Sequence, residues 1–414
     1  MSAQLRIQLF DRLVNRNNGT ALRVIQLHAW GITGIDDAGR MQDLRMDSAL
    51  AHDWMPGDPA LLARQDPARL LGCLLAGAAG DALGAAVEFS NWDSIRRQYG
   101  ELGIRDMAPA YGRLGAITDD TQMMLFTAEG LIRANVRGTA RGICDPSAVV
   151  HHALLRWLLT QNLQPATKVG RDGWLIKQPE LWSRRAPGNT CLTALSASSR
   201  FGEPATNNSK GCGGVMRVAP CAIFSDAFEL ASESAHYSHG HPSGYLAAGL
   251  FADILHRLWT DCPTLEQACH SALQKHGQRP GMEETRQAVE YVLEQYHQGN
   301  CPTPERIDRY GGGWIAEEAL AIGIWCALCA DSLEDGIIRA VNHSGDSDST
   351  GLIAGNLLGL IHGPAAIPGR WLAELELREI ITRIAADLLY VPVAYDGGDN
   401  PEVDHGIWER YPGW

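Results

Sequence analysis

Several signatures of common protein classes are missing from this sequence of 414 residues. It contains no long uncharged apolar stretch, and no secretory hydrophobic region follows Met1, so we expect a cytoplasmic protein without a membrane anchor. It has no basic stripe either: Asp and Glu total 48 against 35 Lys and Arg, a formal net charge of -13. This acidity argues against a nucleic-acid-binding protein and is compatible with cation binding.

Familiar catalytic and redox patterns are also absent. There is no Gly-x-Ser-x-Gly elbow, which argues against a serine nucleophile of that type. The ten cysteines mostly lie singly among apolar or small residues, as expected for a reduced protein. Cys326 and Cys329 form a Cys-x-x-Cys pair inside a helical pattern without a partner pair, so we interpret them as core residues rather than as zinc or redox ligands.

Residues 1–66 read as a small β-containing extension. Apolar residues alternate with polar ones from Leu5 to Leu9, Asn18-Gly19 is a hairpin-type dipeptide, and the stretch from Leu22 to Trp30 is rich in β-compatible residues. A linker is predicted over Met55–Pro59. The extension is therefore expected to form a unit that differs in composition from the rest of the chain.

Residues 67–414 are predicted to form an all-α domain, because helical periodicity dominates and strand-like alternation is nearly absent. The predicted helices cover residues 70–83, 123–136, 146–162, 190–201, 227–237, 243–259, 264–276, 282–298, 315–330, 333–341, 351–362 and 371–389. Glycines recur every four residues from Gly351 to Gly363. This smooth stripe predicts close packing against the helix over 70–83, which also carries several glycines.

The most informative motif runs from Gly345 to Gly351, Gly-Asp-Ser-Asp-Ser-Thr-Gly, at the start of a predicted helix. Asp346 and Asp348 alternate with hydroxyl side chains, and hard oxygen ligands of this kind suit Mg²⁺, Mn²⁺ or Ca²⁺ better than Zn²⁺. A helix cap is the alternative, because Asp and Ser are preferred at that position. A cap needs one such side chain, whereas this motif has four in a row.

A second acidic motif, Thr118-Asp119-Asp120-Thr121, also precedes a helical run. Adjacent carboxylates repel each other unless a cation or a proton lies between them. Two acidic pairs at two helix starts therefore favour a shared cation site over two solvated caps. Asp81 and Glu88 end the apolar block that begins at Leu70, and each needs a cation, a donor or solvent nearby if it is buried.

A glycine-rich segment, Asn207–Arg217, leads into a helix-like stretch and would expose backbone N–H groups to a phosphate or diphosphate. A flexible loop is the alternative reading. The nearby His236, His239 and His241 match no zinc spacing, so we expect packing or hydrogen bonding. Trp314 follows three glycines and either stacks on a base or belongs to the core.

Taken together, these blocks resemble the ADP-ribosylglycohydrolase family. The resemblance rests on Gly77–Gly84 with Glu88, on Thr118–Thr121, on Lys210–Arg217 and on Gly345–Gly351, in the family's order and over roughly residues 68–390. It implies an all-α fold with two Mg²⁺ or Mn²⁺ ions in a cleft that binds ADP-ribose and cleaves the glycosidic bond of its terminal ribose.

The resemblance also implies roles for individual residues. Thr118, Asp119 and Asp120 would hold one ion, and Asp346 and Ser349 the other, with Asp348 bridging. Glu88 would orient or deprotonate the attacking water, with Asp346 and Asp348 as the other catalytic carboxylates. The implied substrate-binding residues are Ser209, Lys210, Gly211, Gly213, Gly214, Met216 and, over the adenine or its ribose, Trp314.

The sequence of the Gly345–Gly351 motif has Ser349 where other members carry Thr. It most resembles the motif of the family branch that acts on ADP-ribosylated arginine. The extension over residues 1–66 departs from shorter members. It is expected either to dock onto a partner, such as an ADP-ribosylating toxin against which the protein gives immunity, or to be an extra subdomain. A binding or inhibitory protein that works through this extension is therefore the alternative to an active hydrolase of ADP-ribosylated proteins.

Overall fold

The computed structural model describes residues 7–45, 53–261, 263–397 and 401–413. Within them the chain is mostly helical, with a small antiparallel sheet near its N-terminal end, so the expected fold class is confirmed. The sheet has the strand order β4-β3-β2-β1-β5. Its strands are β1 (Arg12–Asn15), β2 (Ala21–Leu27), β3 (Gly31–Asp36), β4 (Met41–Arg45) and β5 (Trp54–Pro56); together they are called the N-terminal sheet below.

Two details of the extension differ from the sequence-based expectation. The alternation that starts at Leu5 does not continue as a strand: Leu5 lies outside the described residues, and residues 7–10 form an irregular stretch and a turn in which Phe10 has a φ of 65°. Met55 and Pro56 are not linker residues, since they pair with β1 in β5. Proline is tolerated there because β5 is an edge strand, where no ladder N–H is required on the open side.

Sixteen helices follow in the described part of the chain. They are α1 (Pro67–Gly84), α2 (Trp92–Tyr99), α3 (Asp119–Arg141), α4 (Pro146–Thr160), α5 (Asn189–Ala197), α6 (Ala227–His236), α7 (Pro242–Thr260), α8 (Leu265–His276), α9 (Glu283–His297), α10 (Pro304–Tyr310), α11 (Ala316–Leu328), α12 (Leu333–Val341), α13 (Ser347–His362), α14 (Gly369–Glu374), α15 (Arg378–Ala394) and α16 (Pro401–Arg410). Two short strands, β6 (Pro109–Ala110) and β7 (Arg113–Leu114), form a hairpin before α3. No helix of the described residues has the length and apolarity that a membrane crossing requires.

The helix predicted over 371–389 is two helices in the structure. The chain breaks between α14 and α15, where Leu377 adopts a left-handed backbone with a φ of 59°. The Cys-x-x-Cys pair lies as expected: Cys326 is buried inside α11, and Cys329 caps that helix as a free thiol.

Helices α1 and α13 pack backbone to backbone at the centre of the molecule, as the glycine stripe predicts. A Cβ at Gly80 would overlap the carbonyl of Gly351, and a Cβ at Gly355 would overlap the carbonyl of Ala76. This contact, called the glycine seam below, leaves no room for side chains. It brings the C-terminal end of α1 against the N-terminal end of α13.

The N-terminal sheet is attached to the opposite end of α1. Phe10, just before β1, and Ile25 in β2 are buried in the main core of the helical domain. Arg23 forms a buried ion pair with Asp66, whose side chain caps the first turn of α1. Since α1 has 18 residues, about 27 Å of helix separates this attachment from the far end of α1.

Candidate active site

Three helix ends meet where the glycine seam brings α1 and α13 together. The last turn of α1 with the segment after it, the start of α3 and the start of α13 place six carboxylates at this end of the glycine seam. All six are at most 7% exposed. These six residues, called the acidic centre below, are Asp81, Glu88, Asp119, Asp120, Asp346 and Asp348.

The N-terminal end of α3 is held by Asp81 from α1. The backbone N–H groups of Thr118 and Thr121 donate to the Asp81 carboxylate at distances of 3.0 to 3.1 Å, and the Thr121 hydroxyl donates to it as well. The hydroxyl of Thr118 in turn caps α3 by accepting from the N–H of Asp120 at 3.2 Å. The carboxylate of Asp81 therefore holds in place the backbone segment that carries Asp119 and Asp120.

One hydrogen bond connects α3 with α13, and a second connects the glycine-rich segment with the start of α13. The hydroxyl of Ser349 donates to Oδ2 of Asp120 at 2.7 Å, so the two acidic motifs of the sequence are in direct contact. The thiol of Cys212 donates to Oδ2 of Asp346, also at 2.7 Å. The structure thus brings together every residue that the sequence analysis named as a metal ligand, although the motifs are more than 200 residues apart along the chain.

In the acidic centre, burial and the charges of neighbouring carboxylates raise the pKa values of the acidic side chains. Burial, followed by the charge of Asp348, raises the pKa of Asp81 to about 7 and that of Glu88 to about 10. Burial and the charge of Asp348 also raise the pKa values of Asp119 and Asp120 well above the ordinary range. Among the described residues, no Lys, Arg or His forms a salt bridge with any of the six carboxylates, so no protein cation offsets this cost.

The donor set fits a pair of divalent cations. Oε2 of Glu88 and Oδ1 of Asp348 are buried and have no hydrogen-bond partner within the described part of the chain. Carboxylate and hydroxyl oxygens are the ligands that Mg²⁺ and Mn²⁺ prefer. No three of the six carboxylates bring oxygens within 4.8 Å of one another in the residues that the structure describes. The centre is therefore wider than a cage around a single ion.

The glycine-rich segment lies against this centre. Gly211 forms an isolated β-bridge with Ile315, and the N–H of Cys212 donates to the carbonyl of Trp314 at 3.2 Å. Residues 212–214 then form one turn of 3-10 helix, after which the buried Met216 accepts a contact from the Ser349 hydroxyl at 3.9 Å. The segment is thus an ordered wall of the site rather than a flexible loop.

The ammonium group of Lys210 is paired with two carboxylates rather than left open to a phosphate. Its ammonium group contacts Oε1 of Glu317 at 2.5 Å and Oε2 of Glu284 at 2.8 Å. Two carboxylates therefore neutralise it. The hydroxyl of Ser209 contacts Thr190 at 3.1 Å and accepts from the N–H of Gly211 at 3.3 Å, which stabilises the start of the wall.

Three partly exposed aromatic side chains surround the acidic centre. Phe89, which directly follows Glu88, is 75% exposed, and its ring lies 6.3 Å from that of Trp314 at an interplanar angle of 20°. Trp314 is 46% exposed, so it is not a core residue. Tyr111 lies under the guanidinium of Arg185 at 5.3 Å, and its pKa is raised by burial and by the charge of Glu88. Exposed ring faces of this kind suit a planar ligand.

Sequence reasoning missed some of these participants. Cys212 was named only as part of a glycine-rich segment, and Phe89 and Tyr111 were not named at all. Phe89 had one available signal, its position next to Glu88. Tyr111 also had an available signal, its position beside Gly112. In the structure these two residues form a turn in which both have positive φ values. The contact between Cys212 and Asp346 spans 134 residues and left no local signal.

His236 at the end of α6, and His239 and His241 just after it, pack against rings or form hydrogen bonds, as expected. His236 stacks on Tyr245 with ring centroids 4.2 Å apart, and His241 caps α7. His239 is buried, and burial lowers its pKa to about 3.

Comparison with known proteins agrees with this architecture. The profile of the ADP-ribosylglycohydrolase family matches residues 63–396, more than half of the chain. The ADP-ribosyl-[dinitrogen reductase] glycohydrolase of Rhodospirillum rubrum is 27% identical over 320 residues, which cover 75% of this chain and 91% of that protein. The ADP-ribosylarginine hydrolase Tri1 of Serratia proteamaculans is 24% identical, with coverage of 82% and 84%.

A solved structure supports the same assignment. A chain described as an ADP-ribosylglycohydrolase-related protein complex is similar with a TM-score of 0.59 and 26% identity, covering 80% of this chain and all of that one. The match to the family profile spans all six carboxylates of the acidic centre and the glycine seam that holds them together. The chain therefore belongs to the ADP-ribosylglycohydrolase family.

Proposed function

We propose that this protein is a metal-dependent hydrolase that removes ADP-ribose from modified protein side chains, with arginine as the favoured acceptor residue. The observation that carries the proposal is the acidic centre, in which six buried carboxylates form no salt bridge with a Lys, Arg or His in the part of the chain that the structure describes. Burial of several like charges is costly unless opposite charge is supplied. In a member of this family, that cost is explained by a site that binds divalent cations and uses them.

The ligands divide into two sets. Thr118, Asp119 and Asp120 from α3 would hold one Mg²⁺ or Mn²⁺ ion, and Asp346 and Ser349 from α13 the other. Asp348 would bridge, and its charge acts on the carboxylates of both sets. When bound, a pair of such ions orients ribose hydroxyls and a water molecule and lowers the pKa of that water.

Glu88 is proposed as the residue that orients or deprotonates the attacking water. Its Oε2 atom is buried without a partner in the described residues, so it is available to a ligand. Without cations its pKa is raised to about 10 by burial and by neighbouring carboxylates, and the group is protonated at neutral pH. Bound divalent cations would lower that pKa, and Glu88 would then act as the proton acceptor. Asp346 and Asp348 would stabilise the positive charge that develops on the ribose.

The wall from Ser209 to Met216 is proposed to hold the diphosphate through backbone N–H groups, with Gly211, Gly213 and Gly214 allowing close approach. Lys210 supports this role indirectly, because its ion pairs with Glu284 and Glu317 fix the wall to α9 and α11. Trp314 and the neighbouring Phe89 are placed to stack on the adenine or its ribose.

The test is release of ADP-ribose from a protein modified on arginine, with Mg²⁺ or with a chelator. We expect metal-dependent release that Asp346→Asn and Glu88→Gln abolish and that Glu409→Gln, an exposed carboxylate change outside the acidic centre, leaves intact. A parallel substrate modified on serine examines linkage. Release from serine alone would overturn the arginine assignment, and release from neither substrate by a folded protein would overturn the hydrolase.

A second function, binding of a partner protein, is supported by the surface of the N-terminal extension. Leu27 and Trp30, at the turn between β2 and β3, are 40% and 45% exposed, so this end of the sheet presents two large apolar side chains to solvent. We propose that this surface docks the ADP-ribosylating enzyme whose product the site hydrolyses. In this arrangement the chain would give immunity both by blocking the enzyme and by reversing its product.

Removal of residues 1–66 is a poor test of docking, because it would also uncover the part of the core that Phe10 and Ile25 cover. A surface variant is sharper. Trp30→Ser combined with Leu27→Ser is expected to abolish capture of an ADP-ribosylating enzyme that modifies arginine, with hydrolysis unchanged. Ile143→Ser, at a residue that is 76% exposed, serves as the control. Equal capture by all three proteins would overturn the docking role and leave the hydrolase assignment untouched.

A further inference from the structure

A cluster of two histidines and a glutamate joins α8 and α9. Glu266 and His270 lie one turn apart on α8, and His297 is the last residue of α9. We propose that Glu266, His270 and His297 form a further metal site, separate from the acidic centre, that takes Zn²⁺ or a similar borderline transition-metal ion. The three residues are called the His/Glu cluster below.

The distances suit a tetrahedral ion. Nε2 of His297 lies 3.3 Å from Oε1 of Glu266, and Nε2 of His270 lies 3.9 Å from the same oxygen. One ligand atom from each residue can be chosen so that all three lie within 4.8 Å of one another. Zn–N and Zn–O bonds of about 2.0 to 2.1 Å imply ligand separations of roughly 3.4 Å in a tetrahedron. Small rotations of partly exposed side chains close the difference.

The ligand chemistry separates this cluster from the acidic centre. Two imidazoles and one carboxylate form a set that zinc uses with one open position, whereas Mg²⁺ prefers oxygen ligands alone. Within the described residues, the ion pairs of Glu266 are with these two histidines only. The rings of His270 and His297 lie 6.3 Å apart at an interplanar angle of 20°, and Nε2 of each ring lies within 4 Å of the same Glu266 oxygen.

The surroundings leave room for the fourth ligand. His270 and His297 both line a surface cleft of about 590 Å³, which water and small anions can enter. An ion in this position would cross-link α8 to α9. Helix α9 begins at Glu283, and its second residue, Glu284, holds Lys210 at the start of the glycine-rich wall. The cross-link would therefore stabilise the helix on which one support of the active-site wall depends.

The experiment uses Co²⁺ as a spectroscopic probe of the full-length protein. Co²⁺ in a tetrahedral nitrogen and oxygen site absorbs visible light strongly, whereas Co²⁺ in an octahedral oxygen site, as expected in the acidic centre, absorbs weakly. We expect an intense visible band that one equivalent of Zn²⁺ removes. His270→Ala and His297→Ala should each abolish the band, while hydrolysis with Mg²⁺ persists.

The matched control is His405→Ala. His405 also lies one turn from a glutamate, with Nε2 3.3 Å from Oε1 of Glu409, but no third His, Cys, Asp or Glu in the described residues completes that pair. Its loss should leave the band unchanged. The proposal is overturned if the native protein shows no intense band, or if the band survives both His270→Ala and His297→Ala. A second readout is thermal: Zn²⁺ should raise the Tm of the native protein and of His405→Ala but not of the two cluster variants.

Discussion

Buried aspartates at the two ends of α1 have opposite electrostatic surroundings. In the N-terminal sheet, Asp36 is 5% exposed and accepts four hydrogen bonds, two of them from Arg40. Burial raises its pKa, but the hydrogen bonds from Arg40 and Ala38 together outweigh burial and leave that pKa below its usual value. Asp346 in the acidic centre is 4% exposed, and burial with the charge of Asp348 raises its pKa far above that value.

The difference is whether a buried carboxylate has a cationic side chain as its partner. Arg23 and Asp66 are each 2% exposed in their side chains and neutralise each other where the sheet joins α1. The acidic centre has no such cation among the described residues, and burial with neighbouring charge raises the pKa values of its carboxylates instead. Burial alone does not distinguish the two regions, whereas the presence of a partner does.

The largest expected effect comes from removing one charge of the acidic centre. Asp120→Asn should lower hydrolysis by more than about 100-fold, the upper range for residues that only support a metal site. The same change should raise the Tm of the metal-free protein, because it relieves repulsion between buried carboxylates. Activity assays and thermal unfolding with a chelator measure the two effects. Asp36→Asn is the control and should do the reverse, lowering stability while leaving activity intact.

The second-largest effect is expected from a change at the N-terminal end of α1, where the N-terminal sheet is attached. Arg23→Met should lower the free energy of unfolding by about 3 kcal/mol, because it leaves Asp66 buried with only the more distant Arg12, at 3.9 Å. Hydrolysis per folded molecule should stay the same. Urea unfolding and initial rates at low temperature measure both quantities. A large loss of kcat in the folded protein would contradict the separation of the two regions.

A smaller effect is expected from a substitution in the glycine seam, which joins the two regions. Gly355→Ala places a Cβ against the backbone of Ala76 and should cost about 1 to 3 kcal/mol through overpacking. It should also reduce hydrolysis, because it displaces α13 from α1. Gly406→Ala is the control in α16, where nothing lies within 4 Å of the added Cβ. That change should be neutral or stabilise the protein by up to about 1 kcal/mol.

The smallest effect is a dependence of stability on pH. The pKa of Asp81 rises from 3.8 to about 7 on folding, so between these values the folded metal-free protein holds a proton that the unfolded chain has lost. Its stability should therefore fall as pH rises from about 4 to 7, by less than about 1.4 kcal/mol per pH unit from Asp81 alone. Saturating Mg²⁺ should remove this slope. Urea unfolding at pH 5 and pH 7, with metal or chelator, tests it.

The local features of this fold could be predicted from the sequence because they depend on short-range chemistry. Acidic and hydroxyl residues stand at the start of both α3 and α13, where the sequence pattern predicts helix starts, and Thr118 caps α3 with its hydroxyl. The glycine seam was predictable because a period of four residues places glycines on one face of a helix. The roles of the individual site residues stay predictions until variants are measured.

What could not be predicted depends on partners that are distant along the chain. Lys210 looked available to a phosphate, but Glu284 and Glu317 lie 74 and 107 residues away in sequence and neutralise it in the fold. The sequence left open whether Asp81 binds a ligand or supports the site, and only its hydrogen bonds to Thr118 and Thr121 place it under the start of α3. Pairing of β5 with β1 was hidden for the same reason.

The glycine seam also bears on which ion the centre accepts. Side chains at a helix interface can change rotamer and let the helices shift, but backbone in contact with backbone has no such freedom. The spacing between the ends of α1 and α13 is therefore stiff. Ca²⁺ needs bonds of about 2.3 to 2.6 Å, and Mg²⁺ needs about 2.0 to 2.1 Å. We expect Ca²⁺ to bind less well than Mg²⁺, because α1 and α13 cannot move apart to fit the larger ion. The stiffness of this helix pair would then select ions by their radius.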